Sequence, residues 1–153
     1  MYRIRANVSD WWRPTLANPR EVIDRLVAAT NAHDLERLVS CFAPSYVNAT
    51  PTHPARGFRG PEQVRRNWGT IFSAVPDITV EVVASATEDD QVWTEWEMRG
   101  TRRDGTAHAM AGVIIFGVEG DHITSARFYL EPVDTGSGDA DAAVQQLTDG
   151  SRP

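Results

Sequence analysis

Lysine is absent from this 153-residue chain: every one of its fifteen strongly basic residues is arginine. The absence excludes a Schiff-base nucleophile, a pyridoxal-phosphate anchor and the lysine of a phosphate-binding loop. Cysteine occurs once, as Cys41, so no intrachain disulfide can form, and no Cys/His ligand spacing is present. Cys41 sits between Leu38 and Phe42 in a helical stretch and reads as a buried structural thiol. No apolar run approaches the roughly 20 residues that a membrane span needs. The N-terminus also lacks a signal peptide's apolar core, so a cytoplasmic location is expected.

Positive charge is scarce as well as uniform in type. Fifteen arginines face 21 acids, a net charge of −6. Residues 1–18 carry three arginines against Asp10, net +2; residues 19–132 carry eleven against sixteen acids, net −5; residues 133–153 carry Arg152 against four aspartates, net −3. An acidic chain without a basic stripe is a poor match for nucleic acid, because phosphate neutralisation needs clustered cations. The four histidines show no i, i+4 pair and do not alternate on one strand, so neither metal nor cofactor is expected.

What is present fits one domain, with flanking segments at 1–18 and 134–153. Residues 1–18 form a polar extension tipped by Trp11-Trp12-Arg13-Pro14. Asn18-Pro19-Arg20-Glu21 combines a cap, a first-turn proline and a capping-box glutamate, and Val22, Ile23, Leu26, Val27 and Thr30 follow at helical spacing. Asp34 caps a second short helix with Leu35, Leu38, Val39 and Phe42 buried, which Pro44 stops. Tyr46–Thr50 reads as a short strand. After a loop rich in proline and glycine, Pro61-Glu62 opens a third helix whose stripe is Val64, Trp68, Ile71, Phe72 and Val75.

From Ile78 the period changes to two. Strands are expected at Ile78–Ser85, Gln91–Thr101, Thr106–Val118 and His122–Glu131, with Asp104-Gly105 as a hairpin signal. Residues 134–153 form an acidic tail, weakly helical at Ala140–Leu147 and expected to be disordered. Three helices followed by hairpin-linked strands predict an α+β domain: a curved antiparallel sheet, cone-shaped, closing with the helices around a pocket of about 300–1,000 Å³.

The order of several short motifs resembles the nuclear transport factor 2-like superfamily, and within it the SnoaL-like branch (polyketide cyclase and ketosteroid isomerase-like). The motifs are Asn31-Ala32-His33-Asp34-Leu35-Glu36, Phe42-Ala43-Pro44-Ser45-Tyr46-Val47-Asn48, Gly57-Phe58-Arg59-Gly60-Pro61-Glu62-Gln63-Val64, Val75-Pro76-Asp77, Trp96-Glu97-Met98-Arg99-Gly100-Thr101 and Arg127-Phe128-Tyr129-Leu130-Glu131-Pro132. The resemblance covers Pro19–Pro132 and implies a cystatin-like α+β barrel. It does not fix an activity, because that superfamily spans cyclases, isomerases, epoxide hydrolases, dehydratases and binding domains. The places matching the epoxide hydrolases' Asp-Arg-Asp set are Trp96, Met98 and Phe128, and the isomerase base position is matched by Thr50. No clear equivalent of the cyclases' aspartate appears.

Alternation assigns the pocket face to Trp96 and Met98, to His108, Met110, Ile114 and Phe116, and to Ala126, Phe128 and Leu130. This gives a pocket without a fixed cation and a neutral, apolar, oxygenated ligand. His108 is the candidate general acid/base, with Tyr46 and Asn48 orienting an oxygen. Thr50, His53, Trp68, Trp96, Met98, Met110, Ile114 and Phe128 are the candidate binding residues, His53 as part of a mouth loop. His33 and His122 read as structural. Two functions are open: metal-free proton-transfer chemistry of the cyclase, isomerase or dehydratase type, or ligand binding without chemistry. Arg127, Tyr129, Glu131, Glu95 and Glu97 fall on the outer face, where Arg127–Glu95 or Arg127–Glu97 contacts and a homodimer interface are expected.

Overall fold

The computed structural model of the chain describes residues 18–150, so residues 1–17 of the N-terminal extension and 151–153 of the tail lie outside the described residues. Helices α1 (Pro19–Asn31) and α2 (Leu35–Ser40) open the domain, and strand β1 (Phe42–Ala49) follows. A 3-10 turn at Pro54–Arg56, a two-residue strand β2 (Phe58–Arg59) and helix α3 (Pro61–Ala74) lead to the long strands. These are β3 (Thr79–Glu88), β4 (Gln91–Thr101), β5 (Ala107–Glu119) and β6 (His122–Pro132), and α4 (Ala140–Thr148) ends the described chain. The result is an α+β fold with one curved, open six-stranded sheet, ordered β2-β1-β6-β5-β4-β3.

The caps are where the sequence places them. The Asn18 side chain accepts from the Arg20 amide and Asp34 from the Arg37 amide, each at 3.0 Å, satisfying amides that the first turn leaves unpaired. The hairpin turns use positive φ at Asp89, Gly105 and Gly120. Two expectations need correction. The sheet is mixed, not wholly antiparallel: β3 to β6 are linked by hairpins, but β1 lies parallel to β6. The short strand also begins earlier, at Phe42, so Phe42 belongs to β1 and Cys41 is the cap residue of α2. Pro44 fits inside β1 because the β1–β6 ladder shifts register between Phe42 and Val47. Cys41 is buried, and burial pushes its thiol pKa up.

The core lies between the helices and the inner sheet face. Val22, Ile23 and Leu26 of α1 and Leu38 of α2 pack with Val80, Val92, Trp96, Ile114 and Phe116. Register shifts at Val82/Ala84 and Gly117/Val118 accompany the sheet's curvature. At Gly112, opposite Trp96 and Leu130, φ is 150°, and a Cβ would collide with the Tyr129 carbonyl oxygen. That close approach requires glycine. In the acidic tail α4 forms, capped by Asp139, but buries none of its residues; Leu147 is 84% exposed.

Candidate functional site

A cavity of about 260 Å³ opens between α3 and the inner faces of β1, β4, β5 and β6, a little below the usual ligand-site range. Its walls are mostly apolar: Phe42, Phe58, Val64, Trp68, Ile71, Met98, Met110, Phe128 and Leu130. Alternation explains the sheet side. The register aligns Met98 with Met110, and Ile114 with Phe128, so inward residues from neighbouring strands form rows across the sheet. Helical spacing explains the other side, since Val64, Asn67, Trp68 and Ile71 lie at i, i+3, i+4 and i+7 of α3.

The polar wall residues are Tyr46, Asn48, Thr50, Arg56 and Asn67. Tyr46 and Asn48 stand two apart on β1, hence on one face, and the Asn48 amide Nδ2 donates to the Tyr46 hydroxyl at 3.1 Å. Tyr46 is 1% exposed and wedged edge-on between Phe42 and Phe58, with ring centroids 4.7 and 6.0 Å away. Burial pushes its pKa up to about 12, partly offset by the Asn48 bond, so it is a neutral O–H near pH 7. With the amide so placed, the Tyr46 proton and Asn48 Oδ1 both lack a partner among the described residues; turned over, the amide would present its N–H instead. Either orientation offers the cavity a hydrogen-bond donor.

Of the expected site residues, Tyr46, Asn48, Thr50, Trp68, Met98, Met110 and Phe128 line this cavity. Trp96, Ile114, His53 and His108 are not among its lining residues. Trp96 and Ile114 share the inner face but are 2% exposed and belong to the core. The Trp96 indole donates to Thr94 Oγ1 at 2.6 Å, and that hydroxyl donates to the Ile114 carbonyl, also at 2.6 Å. His108 pairs with Gly100, one pleat repeat (about 7 Å) beyond Met110 toward the β4–β5 hairpin. There Arg102 donates to its Nδ1 at 3.3 Å. Desolvation, then the Arg102 charge, hold the His108 pKa below its ordinary value, so the ring is a neutral acceptor tied to the hairpin. His53 turns to the rim, its Nε2 lying 2.9 Å from Glu131 Oε1.

Arg56 and Asn67 were not foreseen as wall residues. Arg56 corrects the expectation of a pocket without a cation; it lies in the turn between β1 and β2, where no periodicity assigns a face. The helical spacing from Val64 did contain the signal for Asn67. His33 is structural, its Nε2 donating to the Ile78 carbonyl at 2.8 Å while the ring stacks on Phe72. His122 sits beside Asp121, 2.6 Å away. Among the described residues no cluster of three His, Cys, Asp or Glu could hold a metal. On the outer face the expected Arg127–Glu95 or Arg127–Glu97 pair is not made. The register aligns Arg127 with Ile115 and Trp93, and its guanidinium lies 6.0 Å from the Trp93 ring while Glu97 pairs with Arg99.

The family model of the SnoaL-like domain matches residues 23–126, and the chain belongs to that family. A search of curated proteins finds no match. Among solved structures the fold is similar to AclR, a putative hydroxylase from Streptomyces galilaeus, at TM-score 0.66 and 17% identity over 76% of this chain and 91% of that one. It is similar to a Mycobacterium tuberculosis protein in complex with estradiol-17β-hemisuccinate, at TM-score 0.63 and 21% identity over 72% and 92%. A Catenulispora acidiphila protein with a ketosteroid isomerase-like fold, in complex with trimethylamine, gives TM-score 0.60 and 18% identity over 71% and 85%. At these identities the likeness concerns the fold. Among the described residues no helix is long and apolar enough to cross a membrane.

Proposed function

We propose that this SnoaL-like chain binds a small, largely apolar, oxygen-bearing molecule in the cavity and promotes metal-free proton-transfer chemistry on it, of the isomerase, cyclase or dehydratase class. The observation that carries the reading is the Tyr46–Asn48 pair in an apolar wall. A carbonyl oxygen held by the Tyr46 hydroxyl makes the adjacent C–H more acidic. The C–H proton passes to a water molecule or hydroxide admitted from solvent, and the charge that develops on the carbonyl oxygen is stabilised by a donor already in place, in surroundings that screen it little. Tyr46 serves as donor and not as base, since its proton is held to about pH 12. Thr50, Trp68, Met98, Met110 and Phe128 would contact the body of the molecule. The steroid ester bound by the Mycobacterium tuberculosis neighbour supports an apolar, oxygenated ligand of this kind.

The second reading is binding without chemistry, favoured because no carboxylate or imidazole lines the cavity among the described residues. Hydrogen–deuterium exchange at the carbons beside the carbonyl, in a panel of steroid, terpenoid and polyketide ketones, separates the two. Chain-dependent exchange, reduced about a hundredfold in Tyr46→Phe, is expected. Ketones that bind without exchanging would leave the binding reading, and exchange indifferent to Tyr46→Phe would remove the tyrosine from the chemistry. We further propose that the outer sheet face, with Trp93 and Tyr129 exposed beside Arg127, pairs two copies of the chain.

A further inference from the structure

We infer that the molecule held in this cavity carries an acidic group at its outer end, a carboxylate, sulfonate or sulfate, bound by Arg56. The inference rests on the cavity being a ligand site, as proposed above, and adds the charge of what enters it.

Arg56 is the one charged side chain among the described residues that line the cavity, and none of those residues is a carboxylate that would neutralise it or repel an anion. Among the described residues its guanidinium makes no ion pair, whereas those of Arg20, Arg65 and Arg99 each meet an Asp or Glu. The turn that carries it is built, not loose. The Arg56 amide donates to the His53 carbonyl at 2.9 Å, and the Gly57 amide to the Pro54 carbonyl at 3.2 Å. A Cβ on Gly57 would stand 3.2 Å from the Asn48 carbonyl oxygen, so the turn lies close against β1. His53 ties it to Glu131 on β6, which engages the nearby carboxylate and leaves Arg56 as the open charge of the turn.

Arg56 is exposed while Tyr46 and Asn48 are buried, so the lining offers a neutral polar pair on its buried side and a charge on its solvent side. A ligand with one neutral oxygen inside, an apolar body and an anionic end at the rim matches both. Arginine suits the role because its planar fork accepts carboxylate or sulfonate oxygens in pairs. Its exposure limits the gain to that of a screened ion pair, about fivefold in affinity.

Two fluorescent probes with the same body separate charge from shape: phenylnaphthylamine, which is neutral, and anilinonaphthalene sulfonate, which adds the anion. Titrated against the full chain at low salt, the sulfonate should bind about fivefold more tightly, with rising salt narrowing the gap. Arg56→Gln should abolish the preference, so that the two probes bind with equal affinity. Arg59→Gln, which removes a nearby arginine outside the wall, should keep it. Equal or reversed affinities in the wild-type chain, or a preference that survives Arg56→Gln, would overturn the anionic end and leave the cavity reading standing. Failure of both probes to bind would overturn the cavity reading itself.

Discussion

Tyr46 combines an almost complete loss of solvent contact with a polar partner two residues away, and its ionisation is therefore coupled to folding. Its folded pKa of about 12 lies above the ordinary tyrosine value of 10, so the folded state favours the protonated form. That contribution is fully present below pH 10 and is lost as pH rises through 12. Two units correspond to about 3 kcal/mol. Urea unfolding followed from pH 9 to 12 should show stability falling by an amount of that order, and Tyr46→Phe should lack this component. His108 shifts in the opposite sense for a base. Its pKa is lowered by burial first and by Arg102 second, so the folded state favours the neutral ring, and its contribution is present above pH 6.5 and lost as pH falls. An NMR titration of the imidazole should give a midpoint below 6.5, moving upward in Arg102→Gln.

Residue types revealed which groups could act, but not which of them meet. His108 had the better chemistry on paper, yet it stands one pleat repeat too far along β5 and is held by Arg102. Tyr46 and Asn48 were legible because an i, i+2 pair on a strand must share a face, whatever the rest of the fold does. Arg56 was not legible, because side-chain direction in a proline- and glycine-rich turn follows from where the turn docks.

Among the elements, the strands were the most readable. Gln91–Thr101 lies where its alternation placed it, and the hairpin turns of the sheet fix the inward rows from Thr94 to Met98 and from Met110 to Phe116. Alternation could not separate inward residues that form the core from those that line the void. That distinction depends on α1 lying against β3 while α3 spans the cavity. Gly112 shows the same limit: the sequence offers a glycine in a strand, and only the packing shows the Tyr129 carbonyl where its Cβ would stand. Gly112→Ala should cost at least about 3 kcal/mol in urea unfolding, through strained φ and the backbone collision together. A cost near zero would mean that β5 can straighten there without loss.

At the scale of the molecule, the outer sheet face presents Trp93 at 42% and Tyr129 at 40% exposure. If this face pairs two copies, light scattering should give about twice the chain mass of 16.9 kDa, and Trp93→Glu with Tyr129→Glu should return the single-chain mass. The tail contributes differently. Since α4 buries none of its residues, removing 134–153 should move Tm by less than about 2 °C. A larger fall would show that the tail packs on the domain in solution.

The sequence by itself determined the α+β class, the helix starts, the hairpin order and the inward faces of the long strands, because caps, turns and period-two patterns act over a few residues. Tertiary structure alone decided that β1 lies parallel to β6, that Trp96 is core, that His108 stands apart from the wall and that an arginine stands in it. Those outcomes depend on how segments far apart in the chain close on one another, and local periodicity carries no information about that. The missing lysine acquired its meaning the same way: it left arginine as the chain's one strongly basic side chain, and the docking of a short turn set Arg56 among the residues that line the cavity.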